Sequence, residues 1–223
     1  MTRTSRRSFL RRTAAALGTV AFPVIIPSAV LGNDGGVPPS ERIVMGGIGL
    51  GGQGQRNMRN FISRKDIQWV AVCDVDAGRR TQAKAIADKH YGNKDCAAYV
   101  DFRDLLARAD IDAVLIATSD RWHALLSLYA ARAGKDIYCE KPMSMTIAEG
   151  RAVADTVRRY GTVYQCGTQR RSMQTFAFAV QLARAGKLGK LRKLHSYVRA
   201  GQPCPALTPE RVPDGLDYDL WLG

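Results

Sequence analysis

Acidic residues are absent from positions 1–32, aromatics make up only 8% of the chain, and no two cysteines form a C-x-x-C pair. Each shortage excludes something. So few aromatic rings argue against a protein that reads single-stranded nucleic acid by stacking on its bases. The five cysteines (Cys73, Cys96, Cys139, Cys166 and Cys204) are odd in number and unpaired in spacing, which suggests neither a zinc site nor a disulfide framework. Cys73, Cys139 and Cys166 stand at the ends of apolar runs and read as small buried hydrophobes. No repeat of solenoid type is present. The acid-free segment explains part of the net charge of +13, because Arg3, Arg6, Arg7, Arg11 and Arg12 all lie in it. The densest remaining basic run, Lys187 to Lys193, is diluted by Gly and Leu and reads as a solvated turn leading into a strand. Nothing in the charge pattern calls for a nucleic-acid partner. What remains is ordinary for a globular protein, 46% hydrophobic and 24% charged, with length for one domain and part of a second.

The first 32 residues read as an address. Ser5-Arg6-Arg7-Ser8-Phe9-Leu10 precedes a mostly apolar stretch over 13–31 and resembles a twin-arginine export signal. The stretch approaches the roughly 18 residues that could span a bilayer, so an uncleaved membrane anchor is the alternative. Pro23 and Pro27 interrupt it, and Ala, Gly and Thr dilute it, which favours the signal. The expected partner is the Tat machinery and the expected location periplasmic or extracytoplasmic. Residues 33–41, rich in Gly and Pro, read as a linker.

From Arg42 onward short apolar runs alternate with amphipathic stretches. Strands are expected over 43–48, 69–73, 113–117, 137–139 and 163–166, each short and largely apolar, as strands buried on both faces of a parallel sheet are. Helices are expected over 56–63, 79–91, 102–108, 122–133 and 147–160; Gly134 and Gly161 suit left-handed caps, and Thr146 with Glu149 forms a capping box. Repeated strand–helix–strand units predict an α/β, doubly wound parallel Rossmann sheet over 42–167. A further helix over 172–185 and an alternating strand over 191–198 then suggest the beginning of an incomplete α+β second domain over 168–223.

The first strand runs into Gly49-Leu50-Gly51-Gly52-Gln53-Gly54, a G-x-G-x-x-G. Such a loop turns tightly at its first glycine, admits a pyrophosphate to the backbone at its second, and packs helix on strand at its third. The following helix start offers unpaired N–H groups to the anion. A second frame, Gly47, Gly49 and Gly52, also fits, but the first leaves a longer unbroken strand. Gly49, Gly51, Gly52 and Gly54 are therefore the candidate phosphate residues. Asp74 ends the second strand 20 residues past Gly54, where an acid would bind adenosine ribose hydroxyls and repel a 2′-phosphate. NAD is thus the expected cofactor, with NADP the alternative because Arg79 and Arg80 lie nearby.

Cys139-Glu140-Lys141-Pro142 follows a buried strand directly and so falls at the carboxyl edge of the sheet, where open α/β folds bind ligands. With the glycine loop, Asp101-Phe102-Arg103-Asp104-Leu105-Leu106 and Gln165-Cys166-Gly167-Thr168-Gln169, this strongly resembles the Gfo/Idh/MocA oxidoreductase family, in its exported bacterial branch. The resemblance implies that Lys141 is catalytic, beside nicotinamide and substrate, that Glu140 lines the nicotinamide region, and that Pro142 fixes the turn through a cis bond. It also implies that Thr118 and His123 contact cofactor, although Ser119 stands where the family has proline. His90 and His195 have no motif around them. The implied reaction is hydride transfer between a nicotinamide cofactor and a sugar or polyol hydroxyl. The alternatives are an NAD-dependent glycosidase using transient oxidation, or a non-catalytic nucleotide-binding fragment. Family members carry a second, antiparallel-sheet domain that supplies a general base. The chain, ending at Gly223, is expected to hold only its start and to turn over negligibly alone. A homo-oligomer is the implied state of the full-length form.

Overall fold

The computed structural model describes residues 37–197, 201 and 207–223. The segment read as an export signal and residues 33–36 of the linker lie outside the described residues. From residue 41 onward the strands are β1 (Ile43–Ile48), β2 (Ile67–Cys73), β3 (Ala97–Tyr99), β4 (Ala113–Ile116), β5 (Asp136–Glu140) and β6 (Tyr164–Gly167). The helices are α1 (Gly52–Ile62), α2 (Ala77–Tyr91), α3 (Phe102–Leu106), α4 (Asp120–Arg132), α5 (Ile147–Tyr160), α6 (Gln174–Arg184) and α7 (Tyr218–Leu222). The six strands form one sheet in the order β3-β2-β1-β4-β5-β6, and every pairing is parallel. This is the doubly wound arrangement read from the sequence. The strand order reverses between β1 and β4, and ligands bind such sheets beyond the carboxyl ends of the strands at that reversal.

Both faces of the sheet are covered. Val114 and Ile116 pack into a core with Leu105, Ile111 and Leu126, while the intervening Leu115 joins Leu50, Met58, Ile62 and Trp69 on the other side. The two-residue side-chain period thus sends alternate residues of β4 into opposite layers. In β2 that period slips. Met45 pairs with Trp69 but Gly46 pairs with Ala71, so one extra residue bulges out. Trp69 and Val72 consequently share one layer, while Ala71 and Cys73 face the other. The indole of Trp69 occupies the space in which a side chain at Gly47 would stand.

Helix ends follow local chemistry. Asp76 caps α2 by accepting from the Arg79 amide at 3.0 Å, the Thr146–Glu149 capping box starts α5, and Gly134 and Gly161 take φ values of 71° and 68°. Lys135, nearly buried, donates its ammonium to the carbonyls of Arg108 and Ile111 at 2.7 and 2.9 Å, tying the turn before β5 to the one before β4. The strand expected over 191–198 is corrected: residues 191–197 form none, and Val198 lies outside the described residues. No described strand lies alongside to share a ladder, and without one an alternating pattern has nowhere to place its backbone hydrogen bonds. Among the described residues no helix is long and apolar enough to cross a membrane.

Candidate functional site

The carboxyl ends of β1, β2 and β4 converge on the glycine turn. Gly49 stands at φ +78°, and a Cβ there would lie 2.6 Å from the Thr118 backbone nitrogen. Its own N–H donates to the Cys73 carbonyl at 2.9 Å. Gly51 is the N-cap of α1 and makes no side-chain cap, so the first amides of the helix are left for a ligand. A Cβ on Gly54 would collide with the carbonyl oxygen of Gly49, whereas one on Gly52 would meet nothing within 4 Å. The turn, the approach and the close packing therefore fall to Gly49, Gly51 and Gly54. Gly47 lies inside β1.

Asp74 closes the turn from the side. It is nearly buried, its Oδ2 accepts the Leu50 N–H at 2.7 Å, and its Oδ1 accepts the Asp76 N–H at 2.9 Å. Each carboxylate oxygen keeps a second lone pair, so the group can hold the loop and still accept from a ligand hydroxyl. Arg80 donates to the main-chain carbonyl of Asp74 at 2.6 Å, and Arg79 approaches Asp76 at 3.7 Å. A cavity of about 340 Å³ opens here, lined by the glycine turn, Asp74, Arg79, Thr118, Ser119 and, from the far end of the chain, Leu220 and Trp221. Ser119 holds φ at −72°. That is the angle proline would impose, so the loop keeps its course without it.

Glu140 is the last residue of β5, Lys141 follows it, and neither lines this cavity. Glu140 is buried, and its Oε1 accepts from Asn57 Nδ2 at 2.7 Å and from Gln53 Nε2 at 3.3 Å. Gln53 also lines the cavity, so one side chain links the two regions. Gly167, at the end of β6, leaves room for this carboxylate: a Cβ there would stand 3.0 Å from Glu140 Oε1. Gln53 and Gly167 stand in the sequence motifs without a role of their own there, and Asn57 stands in none. The available signal was Asn57, a polar residue on the buried stripe of α1 with Gly54, Met58 and Ile62. A buried amide there requires a partner. Lys141 is exposed, the Lys141–Pro142 bond is cis, and the lysine ammonium makes no hydrogen bond among the described residues.

His123 is placed differently from its expected role as a cofactor contact. It is 1% exposed and lies outside the cavity walls, with Nδ1 2.7 Å from the Pro142 carbonyl and Nε2 3.2 Å from the Thr118 carbonyl. Wedged between two carbonyls, the imidazole ties the loop after β4 to the turn after β5. Thr118, by contrast, lines the cavity. Among the described residues no group of three metal-ligating side chains converges.

Three thiols, Cys73, Cys96 and Cys139, are buried. Burial, aided by the Asp74 charge, pushes the Cys73 thiol up to about 12, and burial pushes Cys96 and Cys139 each to about 11. The thiolate is the nucleophile, and at pH 8 a thiol with pKa near 11 holds only about 0.1% of it. Iodoacetamide at pH 8 is expected to leave these three cysteines unmodified in the folded protein and to label all three in denaturant, read by peptide mass spectrometry. These raised values also favour folding less as pH rises. Each contribution is full below the ordinary thiol value of 9.0 and declines from there towards the folded-state values.

Residues 42–168 match the oxidoreductase family, NAD-binding Rossmann fold, of the Gfo/Idh/MocA type. The chain is 32% identical over 183 residues to the uncharacterized oxidoreductase YrbE of Bacillus subtilis, covering 81% of this chain and 51% of that protein. It is 30% identical to an inositol 2-dehydrogenase of Salmonella typhimurium, covering 79% and 52% of the two chains. Among solved structures, scyllo-inositol dehydrogenase of Lactobacillus casei with bound NAD(H) and scyllo-inositol superposes with a TM-score of 0.59 at 27% identity, over 66% of this chain and 42% of that one. The chain thus spans about half the length of the curated relatives it matches.

Proposed function

The chain belongs to the Gfo/Idh/MocA oxidoreductase family, and from that premise we propose that it is the dinucleotide-binding part of an NAD-dependent enzyme that oxidises or reduces a sugar or polyol hydroxyl. The observation that carries the reading is one cavity bounded by both the glycine turn and the Asp74 carboxylate. The α1 amides meet a pyrophosphate there, and Asp74 accepts from ribose hydroxyls. A 2′-phosphate in the same place would face a carboxylate, so NAD is preferred to NADP; Arg79 opposes that preference only in part, since Asp76 lies 3.7 Å from it. Bound NAD supplies the hydride acceptor. Lys141 places a positive charge where the substrate oxygen gains negative charge as its proton leaves. Glu140, held by Asn57 and Gln53, fixes the turn from which Lys141 projects. The relatives named for inositol dehydrogenation support the polyol class, and the twin-arginine pattern supports export.

Calorimetric titration of the chain tests the cofactor reading: NAD is expected to bind at least about tenfold more tightly than NADP, a difference of about 1.4 kcal/mol. A well-folded protein with no affinity for either would refute it. In a preparation that oxidises a polyol, Lys141→Ala is expected to lower turnover by about 10²–10⁴ with NAD affinity unchanged within about twofold. Turnover retained by Lys141→Ala would remove Lys141 from the chemistry.

A further inference from the structure

Leu220 and Trp221 line the same cavity as the glycine turn although they lie well over one hundred residues further along the chain. They arrive on a segment fastened at both sides of the cavity mouth. On the β2 side, Leu216 forms an antiparallel bridge with Asp76, the Ala77 N–H donates to the Gly215 carbonyl at 2.9 Å, and the Asp217 N–H donates to the Val75 carbonyl at 3.1 Å. On the β4 side, Arg121 Nη2 and Trp122 Nε1 both donate to the Trp221 carbonyl, at 2.6 and 3.3 Å. The Arg121 guanidinium also stands 4.5 Å over the Trp221 ring, and Tyr218 stacks beside that ring at 5.6 Å. Between the two fastenings runs the short helix α7, capped by Asp217, whose side chain accepts from the Leu220 N–H at 3.0 Å.

We propose that residues 215–223 are a strap that closes the adenosine end of the cofactor cavity, with Leu220 and Trp221 forming an apolar wall for the adenine base. This rests on the dinucleotide reading above. That reading puts the ribose at Asp74, and the strap is anchored one and two residues beyond it, at Val75 and Asp76, where the base attached to that ribose must project. Purines are flat and largely apolar on their faces, so an apolar wall is the complementary surface. The wall reaches this end of the cavity alone, since its anchors are at β2 and at the start of α4 and none reaches β5, where Lys141 stands.

The test compares NAD and ADP-ribose binding to the full chain and to Trp221→Ala and Arg121→Ala, by calorimetry, with thermal melting alongside. Losing the indole wall is expected to weaken NAD and ADP-ribose by the same factor, about tenfold, from the apolar contact a buried side chain supplies. Arg121→Ala, which removes one of the two β4-side donors and the guanidinium over the indole, is expected to weaken both in the same direction. The melting temperature is expected to hold in both variants, because Trp221 is partly exposed and the strap adds little to the core. If the wild-type chain binds NAD and both variants bind it equally well, the strap is overturned and the dinucleotide reading stands. If NAD weakens but ADP-ribose does not, the segment serves the nicotinamide end and the proposal is again overturned. A wild-type chain that binds neither ligand would overturn both readings together.

Discussion

Gly54→Ala is expected to destabilise the protein by about 2 kcal/mol or more and to abolish measurable dinucleotide binding, whereas Gly52→Ala, two residues away, is expected to shift stability by no more than about 0.5 kcal/mol. The difference is geometric. A methyl on Gly54 would collide with the carbonyl oxygen of Gly49, a backbone atom that cannot rotate away. That carbonyl belongs to the residue holding φ at +78°, whose own surroundings include the Thr118 backbone 2.6 Å from a Cβ position. Moving α1 outward to relieve the collision would withdraw its amides from the cavity. It would also pull Asn57 and Gln53 off the Glu140 carboxylate and lift Met58 and Ile62 from the core. Gly52 has open space around its Cβ position, and alanine is the better helix former. Urea denaturation and NAD titration of the two variants measure the contrast. Equal behaviour would show that the helix does not depend on close approach to the turn.

The alternation of apolar runs and amphipathic stretches was enough to read the parallel sheet, because strands buried on both faces carry a continuous signal. β3 was missed: it has three residues, none fully buried, so it carries no such run. β2 starts two residues earlier than expected because Gln68, inside the strand, breaks the apolar run. α1 begins at Gly52 rather than 56, since its first turn contains two glycines whose low helix propensity hides a start fixed by packing. The glycine turn and Asp74 could be placed from spacing alone, as both follow strands in a fixed topology. His123 could not be assigned from its neighbours. Its environment is two carbonyls, one of them 19 residues away, and only the folded chain brings them together. The same holds for the strap, whose fastening of Arg121 to Trp221 spans 100 residues.

Asp74→Asn is expected to lower stability by about 2–3 kcal/mol and NAD affinity by more than about tenfold, from a change that removes no volume. The carboxylate accepts one backbone N–H on each oxygen, from Leu50 and from Asp76. An amide has only one acceptor oxygen, so its NH2 group must face one of these two donors and leave it unpaired in a nearly buried place. The Leu50 amide lies within the glycine turn itself, so the turn loosens even before a ribose hydroxyl loses its charged acceptor. Asp76→Asn is the control: asparagine caps helices as well as aspartate does, so α2 and NAD affinity are expected to persist. Two measurements on Asp74→Asn separate its roles. If the carboxylate only positions the loop, NAD and NADP should weaken equally; if it also faces the 2′ position, NADP should lose less than NAD as the repulsion disappears. The second outcome is the one expected, since Asp74 lines the cavity proposed for the nucleotide. Retention of full stability and unaltered NAD affinity in Asp74→Asn would show that the turn is held without this carboxylate, and the cofactor assignment would lose its second anchor.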